Sequence, residues 1–147
     1  SGLNPDIVGD IRSLPFADKA FDLVCAFEVL EHIPLDDARL ALKEMNRVSR
    51  STILISVPHR RSGFEMVFKF PFIRTIFKKD YIRLAFLLPI RFPGFAVSKQ
   101  HYWEIDGWNL SLRHFRNLLR LHFRIISEIT PCLDPYRRFF NLEKKVI

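Results

Sequence analysis

The chain alternates between segments whose apolar positions keep a clear period and one long segment where they do not. Residues 21–27, FDLVCAF, are almost continuously apolar after Asp22, as expected of a strand buried on both faces. Residues 35–48 place Leu35, Ala38, Leu42, Met45 and Val48 at helical spacing. Asp36 and Asp37 in the first turn and Arg47 near the last suit the helix dipole. Residues 52–57, TILISV, read as a second buried strand, which Pro58 stops. A strand, a crossover helix and another strand make a βαβ unit, so the pattern predicts a mainly parallel sheet.

Upstream, residues 6–10 read as a short strand ending at Asp10, and residues 12–20 as a loop interrupted by Pro15. Downstream, residues 111–122 predict a helix, with Ser111 as N-cap and Leu112, Phe115, Leu118, Leu119 and His122 on one face. Residues 123–130 and 138–146 then predict two strands joined by a turn at 131–135, an antiparallel hairpin at the sheet edge.

Residues 60–97 have a different texture. They hold eight of the fifteen phenylalanines, interleaved with Arg and Lys, and three of the nine prolines. No single period organises them. An inserted lid spanning 60–100 is expected, with short helices at 64–69 and 73–88.

Length and composition narrow the class. At 147 residues the chain reads as a single domain, and 48% apolar with 27% charged residues excludes a disordered one. The net charge of +7 is unevenly placed: residues 60–124 carry thirteen basic and four acidic side chains, whereas residues 1–59 carry six and nine. Such a basic middle fits an anionic partner or surface, or a solvated cationic face without a specific partner. The two cysteines, Cys25 and Cys132, fit no metal or redox spacing. No metal site is expected, and Cys25, in an apolar run, is expected to be a buried free thiol. A cytoplasmic location follows, with peripheral membrane attachment as its variant. The start of the chain is polar and turn-like, so no secretion signal is expected from it, and the apolar run at 84–90 falls short of the ~20 residues a spanning helix needs.

Two strand ends lie within residues 10–32, DIRSLPFADKAFDLVCAFEVLEH. In open α/β sheets ligands bind at the carboxyl ends of strands, so this stretch points to a small-molecule site. Asp10 ends a predicted strand. Its carboxylate would accept from an exocyclic amine while the Ile11 N–H donates to a ring nitrogen, a pairing that reads an adenine edge. Capping of a turn explains Asp10 equally well.

The block D-x-x-x-L-P-F-x-D-x-x-F-D-x-V-x-x-x-x-V-L-E-H-I, residues 10–33, resembles the central block of class I S-adenosylmethionine-dependent methyltransferases, the type-11 small-molecule group. The downstream order of helix, strand, insertion, helix and two strands is similar too. The resemblance implies an α/β fold, the C-terminal part of a Rossmann-like methyltransferase, with an inserted lid and a C-terminal antiparallel hairpin. It implies S-adenosylmethionine as cofactor and a partial site for it. Asp10 would hold the adenine amine and Ile11 the ring nitrogen. Phe27 and Glu28 would border the methionine part, and His32 would steady the loop behind it. Glu31 and Asp22 would serve the fold. His59, His101 and Glu104 are the candidate general bases or substrate-binding groups, with structural packing as the competing reading. Tyr102, Trp103 and Trp108 would wall an acceptor pocket or pack in the core.

The chain departs from this family in lacking a G-x-G-x-G loop: its five glycines, Gly2, Gly9, Gly63, Gly94 and Gly107, are not spaced to form one. The acidic residue that would grip the ribose is also missing. Three expectations follow: a fragment of a longer methyltransferase, a shortened protein without catalysis, or a fold completed by another chain, including a swapped homodimer. The expected activity is methylation of a small-molecule or lipid-linked acceptor, not performed by these residues alone. The alternative is a non-catalytic binding or membrane-associated module. The lid, rich in Phe and cations, suits an amphipathic acceptor or an anionic membrane surface. Nucleic acid is an unlikely partner, since no RNA-binding motif is present.

Overall fold

The computed structural model describes residues 6–60, 62–69, 72, 78, 81–88, 100–107, 110–131, 134 and 136–145. The chain runs through β1 (Phe21–Phe27), a 3-10 turn (Leu30–His32), α1 (Leu35–Val48), β2 (Ser49–Pro58), β3 (Ser62–Phe68), β4 (Ile82–Leu88), α2 (Leu112–Arg120), β5 (Phe123–Ile129) and β6 (Arg137–Lys144). Four strands form one sheet in the order β1-β2-β6-β5, and β3 and β4 form a separate two-stranded sheet.

The βαβ unit is present as the periodicity predicts. β1 and β2 are parallel, with Cys25 opposite Leu54 and Phe27 opposite Ser56. α1 packs Ala38, Ala41, Leu42, Met45 and Val48 into the core. Full burial of a side chain as large as Leu42 is worth about 1.5–3 kcal/mol. β6 then enters antiparallel between β2 and β5. The sheet is therefore mixed, with one parallel and two antiparallel pairings among the described strands, and the mainly parallel sheet expected from the sequence is confined to the β1–β2 side.

α2 begins as expected. Ser111 accepts a hydrogen bond from the His114 amide at 3.2 Å. Phe115, Leu118 and Leu119 are buried, and Phe115 stacks at a tilt on Phe140 of β6 and on Trp103. The helix stops at Arg120, so His122 lies in the turn that follows it.

Three expectations are corrected. Residues 6–9 form no strand: Ile7 and Val8 are exposed, and Asp10 makes only a local bridge with Ser13. A strand needs a neighbour, and none of the described strands pairs with this segment. β1 is not buried on both faces. Phe21, Leu23 and Phe27 are 39–49% exposed and Cys25 is an exposed free thiol, because β1 pairs with β2 alone among the described strands. The lid holds a hairpin where helices were expected at 64–69 and 73–88. Met66 lies opposite Leu84 and Phe68 opposite Ile82, the period-2 pairing of a ladder. Part of the second expected helix, residues 73–77 and 79–80, lies outside the described residues, as do Trp108 and Cys132.

The L-P-F-x-D loop is clasped by α1. Arg47 donates to the Leu14 carbonyl at 3.0 Å, the Phe16 carbonyl at 2.8 Å and Asp18 at 2.8 Å. Glu44, paired with Arg47, accepts from the Leu14 amide at 3.0 Å. Phe16 meets Phe21 edge-on, with ring centroids 4.9 Å apart. The motif's Leu, Phe and Asp thus fix the path from the Asp10 turn into β1.

Candidate functional site

The carboxyl ends of β1 and β2 lie side by side, and the residues just past them, Glu28 and His59, meet the start of β6. Glu28 adopts a left-handed backbone (φ 52°), an uncommon conformation for a non-glycine residue. Contacts hold it there. Its amide donates to the Ser56 hydroxyl at 3.1 Å, that hydroxyl donates to Glu28 Oε1 at 2.8 Å, and Arg137 Nε lies 3.3 Å from Oε2. Phe27, half exposed, packs against Phe139, with ring centroids 5.9 Å apart.

His59 is buried, with both ring nitrogens engaged. Nε2 lies 2.9 Å from Asp106 Oδ2, and Nδ1 lies 3.0 Å from Arg138 Nη1. Because the guanidinium only donates, Nδ1 accepts and Nε2 carries the proton toward Asp106. Asp106, itself left-handed (φ 57°), accepts from the Leu112 amide at 3.1 Å and so caps α2. Arg138 also pairs with Glu128. Glu128 is shared with Arg116: its burial raises the carboxyl's pKa, and the hydrogen bond from Arg116 and the charge of Arg138 overcome this, leaving it below its ordinary value. His59 therefore ties the end of β2 to α2 and β6.

The loop of residues 100–106 lies over the 3-10 turn. The Tyr102 amide donates to the Glu31 carbonyl at 2.8 Å, and the indole of buried Trp103 donates to the Ile33 carbonyl at 3.0 Å. This brings His101 to His32, with ring centroids 5.0 Å apart. His101 Nδ1 is 2.9 Å from Glu104, and His32 Nδ1 is 3.0 Å from the Gln100 carbonyl. Glu31 is fully buried beneath them, and its ligating oxygen and the two imidazoles come within 4.8 Å of one another. Of the candidate bases, His101 and Glu104 form one unit, and His59 lies in another. Trp103 packs in the core, while Tyr102 is exposed.

Ile11, next in the chain to Asp10, lies against β1. An apolar cavity of about 220 Å³ is lined there by Ile11, Leu14, Leu23, Cys25 and Met45, among others. Ligand pockets commonly span about 300–1,000 Å³, so this one suits a single ring system and not a whole nucleoside-amino acid conjugate. Asp10 is ionised: the Arg12 side chain, which contacts both carboxylate oxygens, and the Arg12 amide hold its pKa at about 2. Arg12 also reaches Asp37 of α1 at 2.7 Å, which anchors the turn to the helix.

A sequence profile of the methyltransferase-domain family, type 11, matches residues 3–55. Solved structures align over nearly the whole chain. Protein PH0226 from Pyrococcus horikoshii OT3 aligns over 95% of this chain and 58% of its own length, with a TM-score of 0.55 at 17% identity. The fold is that of the class I methyltransferases. Magnesium protoporphyrin IX methyltransferase from Synechocystis, solved with bound S-adenosylhomocysteine, aligns over 95% and 50%, with a TM-score of 0.51 at 15% identity. The Burkholderia thailandensis 1,6-didemethyltoxoflavin N1-methyltransferase aligns over 95% and 50%, with a TM-score of 0.55 at 13% identity. The chain thus spans between half and three fifths of the length of these three proteins. No curated protein sequence matches it. Among the described residues, no helix is long and apolar enough to cross a membrane.

Within this methyltransferase fold, sequence reasoning missed Ser56, Asp106, Arg137 and Arg138. Their partners lie 28 to 109 residues away, and no local pattern marks such pairs. One signal was available for Asp106: an acidic residue shortly before a helix is a ready acceptor for its first amides.

Proposed function

We propose that the chain serves S-adenosylmethionine-dependent methyl transfer to a small-molecule acceptor. It would contribute the adenine side of the cofactor site and one wall of its methionine side. The observation that carries this reading is a ring-sized apolar cavity on β1 lined by Ile11, the neighbour of Asp10 in the chain, with Phe27 and Glu28 at that strand's carboxyl end. The cofactor would bring a methyl group on a positively charged sulfur. The chain's own residues bind and orient. Arg12 makes two contacts to each Asp10 carboxylate oxygen, so Asp10 would accept the adenine amine by exchanging one of them. Ile11 would line the ring, and Phe27 would border the methionine arm. Ser56 and Arg137 fix Glu28, and with it the backbone around which the methionine arm would turn. His32 would hold the loop behind the site through the Gln100 carbonyl. Positioning for in-line attack supplies much of the rate in such a reaction. A base is needed only for weakly acidic acceptors, for which the partly exposed His101–Glu104 pair is more accessible than the fully buried His59.

No glycine-rich loop occurs in the sequence, so cofactor affinity of this chain alone is expected to be weak. The open edge of β1 is compatible with completion of the sheet by further polypeptide, including a swapped second copy. Amide NMR with S-adenosylhomocysteine tests the reading. Millimolar binding with shifts at Ile11, Phe27 and Glu28 supports it. No shift at the solubility limit refutes cofactor binding, and micromolar affinity refutes the partial site.

A second reading, contact with an anionic membrane or a lipid-linked acceptor, draws support from the lid. Met66, Val67, Phe72 and Leu84 are exposed there, with Lys69 and Lys78 beside them in sequence. Sedimentation with anionic vesicles tests it: salt-sensitive binding supports this reading, and its absence removes it.

A further inference from the structure

Glu31 is a costly residue for this fold to keep. Its side chain is fully buried, and neither carboxylate oxygen has a hydrogen-bond partner. A buried ionised group normally finds a partner or a metal, because an uncompensated charge in the interior costs several kcal/mol or more. Burial pushes the carboxyl's pKa up, with the nearby Glu28 carboxylate adding to the shift.

Two imidazoles face this carboxylate. His32 Nε2 is 3.9 Å from Glu31 Oε1, and one ligating atom from each of Glu31, His32 and His101 lies within 4.8 Å of the others. Both rings are oriented through their other nitrogen. His32 Nδ1 meets the Gln100 backbone carbonyl at 3.0 Å, and His101 Nδ1 meets the Glu104 carboxylate at 2.9 Å. Carbonyl and carboxylate oxygens only accept, so both Nδ1 atoms carry the proton. In the neutral rings each Nε2 then presents a lone pair. Metal-binding histidines are commonly held in this way, with the far N–H donated to a carboxylate or a backbone carbonyl.

We propose that Glu31, His32 and His101 form a binding site for a divalent first-row transition-metal ion. One carboxylate oxygen and two imidazole nitrogens make a donor set suited to zinc, cobalt or manganese and poorly suited to magnesium, which prefers oxygen ligands and water. The ion would neutralise Glu31 and lock the 100–106 loop onto the 3-10 turn. His32 has a side chain 44% exposed, so the remaining coordination positions open toward solvent. This site overturns the expectation of no metal, which rested on the cysteines; His101 lies 69 residues beyond His32, far outside any ligand-spacing motif. The proposal goes beyond the methyl-transfer reading and does not depend on it: metal uptake is measured without any nucleotide present.

Cobalt(II) titration followed by visible absorption, with zinc as competitor, provides the test. The wild type is expected to bind one equivalent and develop ligand-field bands that zinc abolishes. Glu31→Gln and His101→Ala, which remove direct ligands, are each expected to weaken binding by at least the about 10–100-fold that follows loss of a mere orienting partner. His32→Ala, at a half-exposed position where folding is retained, should do the same. Zinc should raise the melting temperature of the wild type, as ligand linkage requires, and raise that of His32→Ala less at the same zinc concentration. A wild type that takes up no cobalt or zinc overturns the proposal, as does a folded His32→Ala variant that binds as tightly as the wild type.

Discussion

His59 Nε2 lies 2.9 Å from Asp106 Oδ2, and this contact joins the end of the central strand to the cap of α2. It also fixes the histidine's tautomer, because Arg138 occupies the other ring nitrogen. His59→Ala should therefore act on stability. Loss of two buried contacts, one of them to a charged group on each side, is expected to cost about 1–3 kcal/mol in denaturant unfolding. The S-adenosylhomocysteine-induced shift at Ile11 should persist in the folded variant. An unchanged unfolding midpoint would contradict this role.

Arg47 acts as the clasp of the motif loop, gathering Leu14, Phe16 and Asp18 onto α1 beside Glu44. Arg47→Ala should lower the denaturant midpoint of unfolding, by less than its number of bonds suggests because the side chain is partly exposed. Hydrogen exchange should speed up most at Leu14, whose amide is held by Glu44. Exchange at Leu14 equal to that of the wild type would remove the clasp.

These two networks mark the limit of what the sequence disclosed. β1 and α1 were legible to the residue, because a continuous apolar run and an i, i+3/i+4 stripe are local signals. Ser111 announced α2 for the same reason. Burial was not legible where it depends on a neighbouring strand, so Cys25 is exposed and residues 6–9 are unpaired. The lid hairpin was hidden because apolar Val67 and Leu87 occupy the positions where its alternation should be polar, leaving Met66↔Leu84 and Phe68↔Ile82 to appear only as paired strands. In the candidate site, Phe27 and Glu28 lie at the end of a strand the sequence shows, whereas the strand expected to end at Asp10 is absent and leaves Asp10 in a local turn. Arg137 and Arg138 were not legible, since only the antiparallel insertion of β6 brings them to Glu28 and His59.

His122 makes acid stability a test of the packing behind α2. Partial burial, and then the charges of Lys43 and Lys145, hold its pKa below the ordinary value. The folded state thus binds fewer protons than the unfolded one as the pH falls through the ordinary imidazole range. The stability from this group is fully present above the unfolded-state pKa of about 6.5 and is lost as the pH falls through the lower folded-state pKa. His122→Gln should reduce the fall in melting temperature between about pH 7.5 and pH 5.5. An equal fall in wild type and variant would show that His122 does not contribute.

The central claim is that Asp10 and Ile11 read an adenine edge. Comparing adenosine with inosine, which has a carbonyl in place of the exocyclic amine, tests it directly by amide NMR on this chain. Adenosine is expected to shift Ile11 and residues of the β1 cavity and to bind several-fold tighter than inosine, with the preference lost in Asp10→Ala. Equal binding of the two nucleosides by the wild type, or an adenosine preference that survives Asp10→Ala, would contradict the account.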